Sequence, residues 1–172
     1  QSMLLLQAED GRVQSALTWL IGSLNSRGWT EINLAGPPIV FALFMGLLLS
    51  RQLNILGLGD ELSVGLGNSL FRSRCLIGAS ATLLAASSVS IGGLIGFVGL
   101  IVPHAVRFLF GTDYRIVLPF SALLGAFTLS AADLIARSGS IELPVGIITS
   151  LVGAPIFIFL LYRRQKSLTS FR

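Results

Sequence analysis

Apolar residues along this chain are gathered into long blocks that are separated by short polar loops. Between Arg74 and Arg107 the sequence contains no Asp, Glu, Lys or Arg. This run is longer than the roughly 20 apolar residues that cross a bilayer. A soluble core element of this size has no need to be so free of charge, so the pattern predicts a chain that lies in lipid and has a membrane function.

Five apolar segments are predicted, and they cover residues 34–49, 75–90, 94–110, 116–136 and 141–162. The second and third could form one helix, but about 35 helical residues would measure some 50 Å, longer than a ~30 Å hydrocarbon core. We place the break at Gly92 and Gly93, because paired glycines weaken a helix and allow a turn. The predicted fold is an all-α, polytopic transmembrane bundle of about five spans.

The basic residues predict the orientation of these spans. If the C-terminal tail is cytoplasmic, only Arg12, Arg27 and Arg137 lie outside. The bases that then lie inside, as the positive-inside rule requires, are Arg51, Arg72, Arg74, Arg107, Arg115, Arg163, Arg164, Lys166 and Arg172. Five crossings place the N-terminus outside, and no signal peptide precedes it. We therefore expect upstream spans to be missing and the chain to belong to a longer protein.

Two regions are predicted, divided where the first span begins. Residues 1–33 form an outer-side segment, and residues 34–172 form the transmembrane domain with a cytoplasmic loop over residues 52–74. Within the outer segment, helical spacing predicts a short amphipathic helix that carries Val13, Leu17, Leu20, Ile21 and Leu24. The alternative is the frayed end of a cut chain.

Composition agrees with a membrane protein and excludes several kinds of site. Charged residues make up 12% of the chain and mean hydropathy is +0.82, whereas soluble domains carry about 25% charged residues. The excess of bases lies at the ends of apolar runs, which indicates topology rather than nucleic-acid binding. A single cysteine, Cys75, excludes an internal disulfide, and one Cys with one His cannot form a zinc site. No P-loop or Ser-His-Asp pattern is present.

The polar loop between the first two spans is the first candidate site. It carries Asp60 and Glu61, then a stretch of small residues, then Arg72 and Arg74. The sequence DELSVGLG predicts a short helix that Gly67 ends. Such a helix is either a docking element for a soluble partner or part of an ordinary connecting loop.

A second set of candidates lies around the third span. Small residues there either pack helices closely together or line a pathway; they are Ser88, Gly92, Gly96 and Gly99. His104 follows Pro103, and it either lines the pathway or donates to a backbone carbonyl that the proline leaves free. Metal ligation by His104 is not expected.

Three stretches resemble one known family. GLIGFVGLIVPHAVRFLFGTDYR, ADLIAR followed by ELPVGIITSLVGAPIFIFLL, and LGDELSVGLG are similar to motifs of the FecCD-type permease subunits of ABC importers for iron-siderophores, haem and vitamin B12. The resemblance covers nearly all of the chain. Family members have about ten spans in roughly twice this length, so it implies the C-terminal half of a vitamin B12 permease-like fold.

The resemblance also implies roles for individual residues. Arg137 and, less strongly, Glu142 would dock the substrate-binding protein, although pairing of Arg137 with Asp133 is an alternative. Val64 and Gly65 stand where the family often has Ala and Arg, so docking on the ATPase is implied without an ion pair there. The coupling segment that the resemblance implies consists of Leu58, Gly59, Asp60, Glu61, Leu62, Ser63, Val64, Gly65, Leu66 and Gly67.

The resemblance further implies a set of partners and a mechanism of alternating access. The partners are cytoplasmic ATP-binding subunits, an extracytoplasmic substrate-binding protein, a second permease copy or paralogue, and a metal-chelate cargo, with siderophore iron ranked first. No cofactor or nucleic acid is expected on this chain, and the expected location is the bacterial inner membrane. The alternatives are an intramembrane enzyme such as a protease, which needs paired catalytic residues within spans, and a passive channel, which needs a filter segment.

Overall fold

The structure of the chain is a computed structural model that describes residues 19–25, 27–138 and 143–169. All regular secondary structure in these residues is helical, as predicted. After residue 27 the helices are α1 (Trp29–Leu48), α2 (Ser50–Leu56), α3 (Asp60–Gly65), α4 (Leu70–Gly92), α5 (Val98–Phe110), α6 (Tyr114–Arg137) and α7 (Val145–Thr169).

Helices α1, α4 and α6 are long and apolar enough to cross a membrane. Two further apolar helices are shorter, namely α5 and the part of α7 over Val145–Ile158. The apolar helices therefore follow the predicted order, and the predicted number of five crossings is approximate. The first begins at Trp29 rather than at residue 34, and the Gly28 amide before it donates to Glu31 Oε2 at 2.8 Å.

The predicted break between the second and third spans is confirmed. Helix α4 ends at Gly92, and Gly93 has a φ of +69°, a left-handed conformation that favours glycine. A β-carbon at Gly93 would also collide with the carbonyl oxygen of Trp19. Helix α5 then begins at Val98, so two helices occupy the stretch that lacks charged residues.

The chain divides into two compact units. The first comprises the described parts of residues 1–26, 92–101 and 127–172. Its buried core consists of Ala132, Ala136 and Val145, with Leu24 and Ile148 packed against them. Of the predicted amphipathic segment, residues 19–21 are helical and Leu24 lies after the helix, while Val13 and Leu17 lie outside the described residues.

The segment before α1 completes helix ends within this first unit. Trp19 O accepts from the Leu94 amide at 3.2 Å, and Gly22 O accepts from the Gly146 amide at 3.1 Å. The Ser23 amide donates to the last carbonyl of α4, at Gly92, at 2.9 Å. Because backbone groups without water or another partner are costly, these bonds give residues 19–23 a structural role in the unit.

The second unit comprises residues 27–91 and 102–126. Small residues bring α1 and α4 together there, since Ser80 Oγ donates to the carbonyl of the fully buried Ala42 at 2.8 Å. The rings of Phe110 and Phe120 lie 4.5 Å apart between their centroids and join the end of α5 to the start of α6. This unit contains the whole polar loop over residues 52–74.

Candidate functional site

The polar loop folds into an ordered element made of helices α2 and α3, which we call the docking element (residues 50–67). Ser63 joins its two helices, because its side chain is fully buried. Its Oγ lies 2.8 Å from the carbonyl oxygen of Ile55 and 2.7 Å from that of Gly59. A hydroxyl has one proton, so the two carbonyls share it. The short helix is thereby fixed to α2 on its inner side.

The end of α3 is a Schellman motif. The Gly67 amide donates to Val64 O at 2.8 Å, and the Asn68 amide donates to Ser63 O at 3.0 Å. Gly67 has a φ of +78°, which the motif requires at the residue after the cap. The predicted short helix with Gly67 as its stop is confirmed.

The docking element carries exposed apolar side chains. They are Leu58, Leu62, Val64 and Leu66, with exposed fractions of 58%, 60%, 57% and 63%. They lie in a polar loop rather than in a membrane span, so lipid contact does not account for them. An exposed apolar patch on a small ordered element is typical of an interaction surface.

The acidic residues at the start of α3 have different surroundings. Asp60 Oδ1 lies 2.6 Å from Arg74 Nη2 in an exposed ion pair that joins α3 to the first turns of α4. Glu61, the next residue, is exposed on the same helix. Both acids lie in the first turn of α3, where negative charge is favoured by the helix dipole.

A second polar contact joins the docking element to α6. Asn54 Nδ2 donates to Asp113 Oδ1 at 2.7 Å, and the Tyr114 amide donates to Asn54 Oδ1 at 2.9 Å. The Arg115 amide also donates to Asp113 Oδ1 at 2.9 Å, so Asp113 caps α6. These bonds, first from Arg115 and then from Asn54, hold the pKa of the Asp113 carboxyl below its ordinary value.

Sequence analysis missed this contact. An aspartate directly before an apolar run is a helix-start signal, so the cap at Asp113 could have been found. Asn54 carries no comparable signal, because its partners lie 59 and 60 residues away.

Arg137 ends α6 and is about half exposed. Its Nε lies 2.9 Å from Asp133 Oδ2, one turn earlier on the same helix. The pairing that the sequence left as an alternative is therefore present, and the exposed guanidinium remains accessible. Glu142, the second candidate for docking a binding protein, lies outside the described residues.

The candidates around the third span do not form one site. Gly96 lies in the connection before α5 and lines an open apolar groove of about 710 Å³ with Ile21, Ser150 and Pro155, among others. Pro103 is half-buried within α5. His104 has an exposed side chain, and its hydrogen bond to a freed carbonyl is not seen among the described residues.

Close helix approach occurs at other glycines than those selected from sequence. A β-carbon at Gly99 would meet nothing within 4 Å in the described part of the chain. A β-carbon at Gly153 would collide with the side chain of Phe97, and one at Gly146 with the carbonyl of Ile21. Nothing in the local sequence distinguishes Gly146 and Gly153 from Gly96 and Gly99 as sites of close approach.

Known proteins with this sequence pattern and fold are transport permeases. Residues 1–163 match the FecCD transport family. The cobalamin import system permease protein BtuC of Halobacterium salinarum is 44% identical over 161 residues, which are 93% of this chain and 44% of that protein. The Fe(3+)-citrate import system permease protein YfmD of Bacillus subtilis is 42% identical over 149 residues, 86% of this chain and 45% of the relative.

A solved structure shares the fold as well. It is an ABC transporter assigned to the metal-chelate type, in an inward-facing conformation, with a TM-score of 0.82 and 36% identity. The match covers 87% of this chain and 49% of that chain.

The apolar helices and these relatives define a membrane-embedded protein of the ABC permease class. The chain belongs to the FecCD transport family. It spans about half the length of the curated relatives that it matches.

Proposed function

We propose that this chain is the C-terminal half of a permease subunit in an ATP-driven importer of metal chelates. The subunit lies in the cytoplasmic (inner) membrane with its C-terminus inside, and it works by alternating access. It binds no cofactor itself, since ATP binds and is hydrolysed on separate subunits. A second permease copy or paralogue completes the dimer, and a substrate-binding protein delivers the cargo from outside.

The observation that carries this proposal is the docking element. Leu58, Leu62, Val64 and Leu66 present exposed apolar side chains, while Ser63 holds α3 against α2. An ordered short helix with exposed apolar side chains fits a groove on a partner protein better than it fits water. The bases near this element, including Arg72 and Arg115, favour the cytoplasmic side by the positive-inside rule. A cytoplasmic ATPase is therefore its partner.

In this mechanism, ATP-driven closure of the ATPase dimer moves the docking element. The Asp60–Arg74 ion pair lies between α3 and α4, so a displacement of α3 pulls on the start of a membrane-spanning helix. Tilting of the spans then opens the central path toward the cytoplasm. The chain itself makes and breaks no covalent bond of the cargo.

The cargo is a metal held in a large organic ligand. Relatives with this sequence pattern are named for cobalamin, ferric citrate and hemin, which share that chemistry. A chelate keeps its own metal ligands during transport, and it needs an apolar path rather than protein ligands. Siderophore iron is our first choice of cargo.

The proposal is tested by uptake into cells that lack their own permease and express the full-length protein with its ATPase and binding protein. Radiolabelled ferric siderophore, cobalamin and haem are supplied separately. Uptake of the siderophore supports the whole proposal. Uptake of cobalamin or haem alone supports an importer but shows that siderophore iron is the wrong cargo. If a correctly inserted protein takes up none of them, the importer proposal is wrong.

The docking role is tested with a matched pair of variants at Glu61, which has an exposed side chain on α3. Glu61→Arg reverses the charge on the docking element, whereas Glu61→Gln keeps the size and removes the charge. We expect Glu61→Arg to lower both ATPase co-purification and uptake, and Glu61→Gln to have the smaller effect. Equal, wild-type behaviour of both variants would count against docking through this element.

A further inference from the structure

Asn54 uses both ends of its amide to hold the first turn of another helix. Its Nδ2 donates to Asp113 Oδ1 at 2.7 Å, and its Oδ1 accepts from the Tyr114 amide at 2.9 Å. Asp113 is the N-cap of α6, so the contact is made to the cap and to the first helical amide at once. Position 54 needs a donor for the Asp113 carboxylate and an acceptor for the Tyr114 amide. The asparagine side chain carries both at the two ends of its amide.

The same bridge is connected to the exposed side of the docking element. Asn54 lies in α2, and α2 is fixed to α3 through the Ser63 hydroxyl and the carbonyls of Ile55 and Gly59. A partner that binds Leu62 and its apolar neighbours would therefore move α2 and α3 as one body. The next hydrogen-bonded group in the chain of contacts is Asn54, and after it comes α6.

The alternative connection, from α3 to α4, is weaker. Asp60 and Arg74 have side chains that are 56% and 59% exposed, and exposed ion pairs contribute little and are screened by salt. Asn54 is half-buried and makes two bonds: a charge-assisted one to the exposed cap residue Asp113, and a part-buried one from the Tyr114 amide. Of these two connections, the one through Asn54 is better suited to transmit a displacement.

We infer that Asn54 is a positioning residue that fixes the docking element to the N-terminus of α6, so that movement of α3 is transmitted to this membrane-spanning helix. The inference rests on the proposed function for its meaning in transport. The link between the docking element and α6 can also be tested without measuring transport.

The test exchanges the two side chains in the full-length permease with its ATPase and binding protein. Asn54→Asp places a second carboxylate within 2.7 Å of Asp113 Oδ1 and removes the donor. Asp113→Asn leaves an acceptor for both Asn54 and the Arg115 amide, so it is the mild single variant. The double variant Asn54→Asp/Asp113→Asn exchanges the donor and the carboxylate, so the bond between the two side chains and the bond from the Tyr114 amide can form again. In wild type the Arg115 amide shares Asp113 Oδ1 with Asn54, so in the double variant it needs the oxygen end of the new amide at position 113.

We expect Asn54→Asp to lower uptake by roughly tenfold, the scale of one charge-assisted hydrogen bond. Its complex should still assemble and hydrolyse ATP, so that the amount of cargo moved per ATP falls. Asp113→Asn should stay within about threefold of wild type, because a neutral hydrogen bond replaces a charged one. The double variant should recover part of the uptake, because the bond between the two side chains and the bond from the Tyr114 amide can form again. Wild-type uptake in Asn54→Asp, or no recovery in the double variant, overturns the inference.

Hydrogen–deuterium exchange gives a readout that does not depend on transport. Asn54→Asp should raise exchange in peptides over residues 50–67 and also over residues 111–118, and the double variant should restore protection in both. If exchange rises only in residues 50–67, the link to α6 does not exist and the inference is wrong. If the link is present but no chelate is taken up by wild type, the proposed function fails while the inference about Asn54 stands.

Discussion

At the scale of single residues, the docking element depends on side chains that no motif would single out. Ser63 is the fully buried member of the otherwise exposed helix α3, and its hydroxyl joins two helices. Asn54 and Asp113 make the second connection. The exposed leucines around them are available for a partner because these polar groups have already fixed the backbone.

Ser63→Ala should lower the stability of the permease. The substitution removes the buried hydroxyl, while the Ile55 and Gly59 carbonyls keep their bonds to the amides of Leu58 and Ser63. The expected cost is therefore that of one hydrogen bond, about 1 kcal/mol. Thermal unfolding in detergent measures it. Ser138→Ala is the control, because Ser138 makes the same kind of bond to a carbonyl at an exposed position; equal effects would contradict the role of burial.

Asp113 should make stability depend on pH in the acidic range. Its pKa is lowered in the folded protein from an ordinary value of 3.8. A depressed folded pKa adds stability above the unfolded pKa, and that stability is lost as pH falls through the folded pKa. The unfolding temperature of wild type should therefore fall below about pH 4. Asp113→Asn should fall less steeply over the same range, and an identical slope would contradict the assignment.

At the scale of helices, the sequence predicted some ends well and others poorly. The ends at Gly67 and at the Gly92–Gly93 pair were predicted from glycine, and the chain leaves these helices in left-handed conformations at Gly67 and Gly93. The start of α1 at Trp29 was not, since Glu31 makes the segment look polar while its carboxylate serves the Gly28 amide. Hydropathy registers a charge but not the bond that it makes.

Two glycines at the end of α3 allow a matched test of this reasoning. Gly67 has a φ of +78°, whereas Gly65 is the last helical residue, and neither would bring a β-carbon within 4 Å of a described neighbour. Gly67→Ala should destabilise the protein by about 1–2 kcal/mol, because L-residues are strained in this region. Gly65→Ala should be neutral or slightly stabilising. Thermal unfolding of the two variants separates backbone strain from packing, and equal shifts would contradict the argument.

At the scale of the whole molecule, the order of apolar helices and their family could be recognised from sequence. The contacts within each unit could not, because they join residues far apart in the chain, such as Gly22 with Gly146. The close approaches at Gly146 and Gly153 depend on which neighbour faces them. A small residue shows that an approach is possible, and only the fold shows whether it is used.

Arg137 gives a prediction for the proposed importer. If Arg137 docks the binding protein, Arg137→Glu should weaken that complex at least tenfold, since a charge at an interface is reversed. Asp133→Asn breaks the same intrahelical pair and leaves the guanidinium in place. It is therefore the matched control and should bind normally. The measurement is the affinity of the binding protein for the reconstituted permease. If both variants lose the same affinity, the role of Arg137 is limited to its pairing with Asp133.

The bonds made by residues 19–23 bear on how the protein is synthesised. Trp19 and Gly22 leave the ribosome long before Leu94 and Gly146, whose amides bond to their carbonyls. The carbonyl of Gly22 can form this bond only after the start of α7 has been made. A nascent chain released before α7 is made would therefore hold an unfinished site in the membrane, which quality-control proteases could recognise.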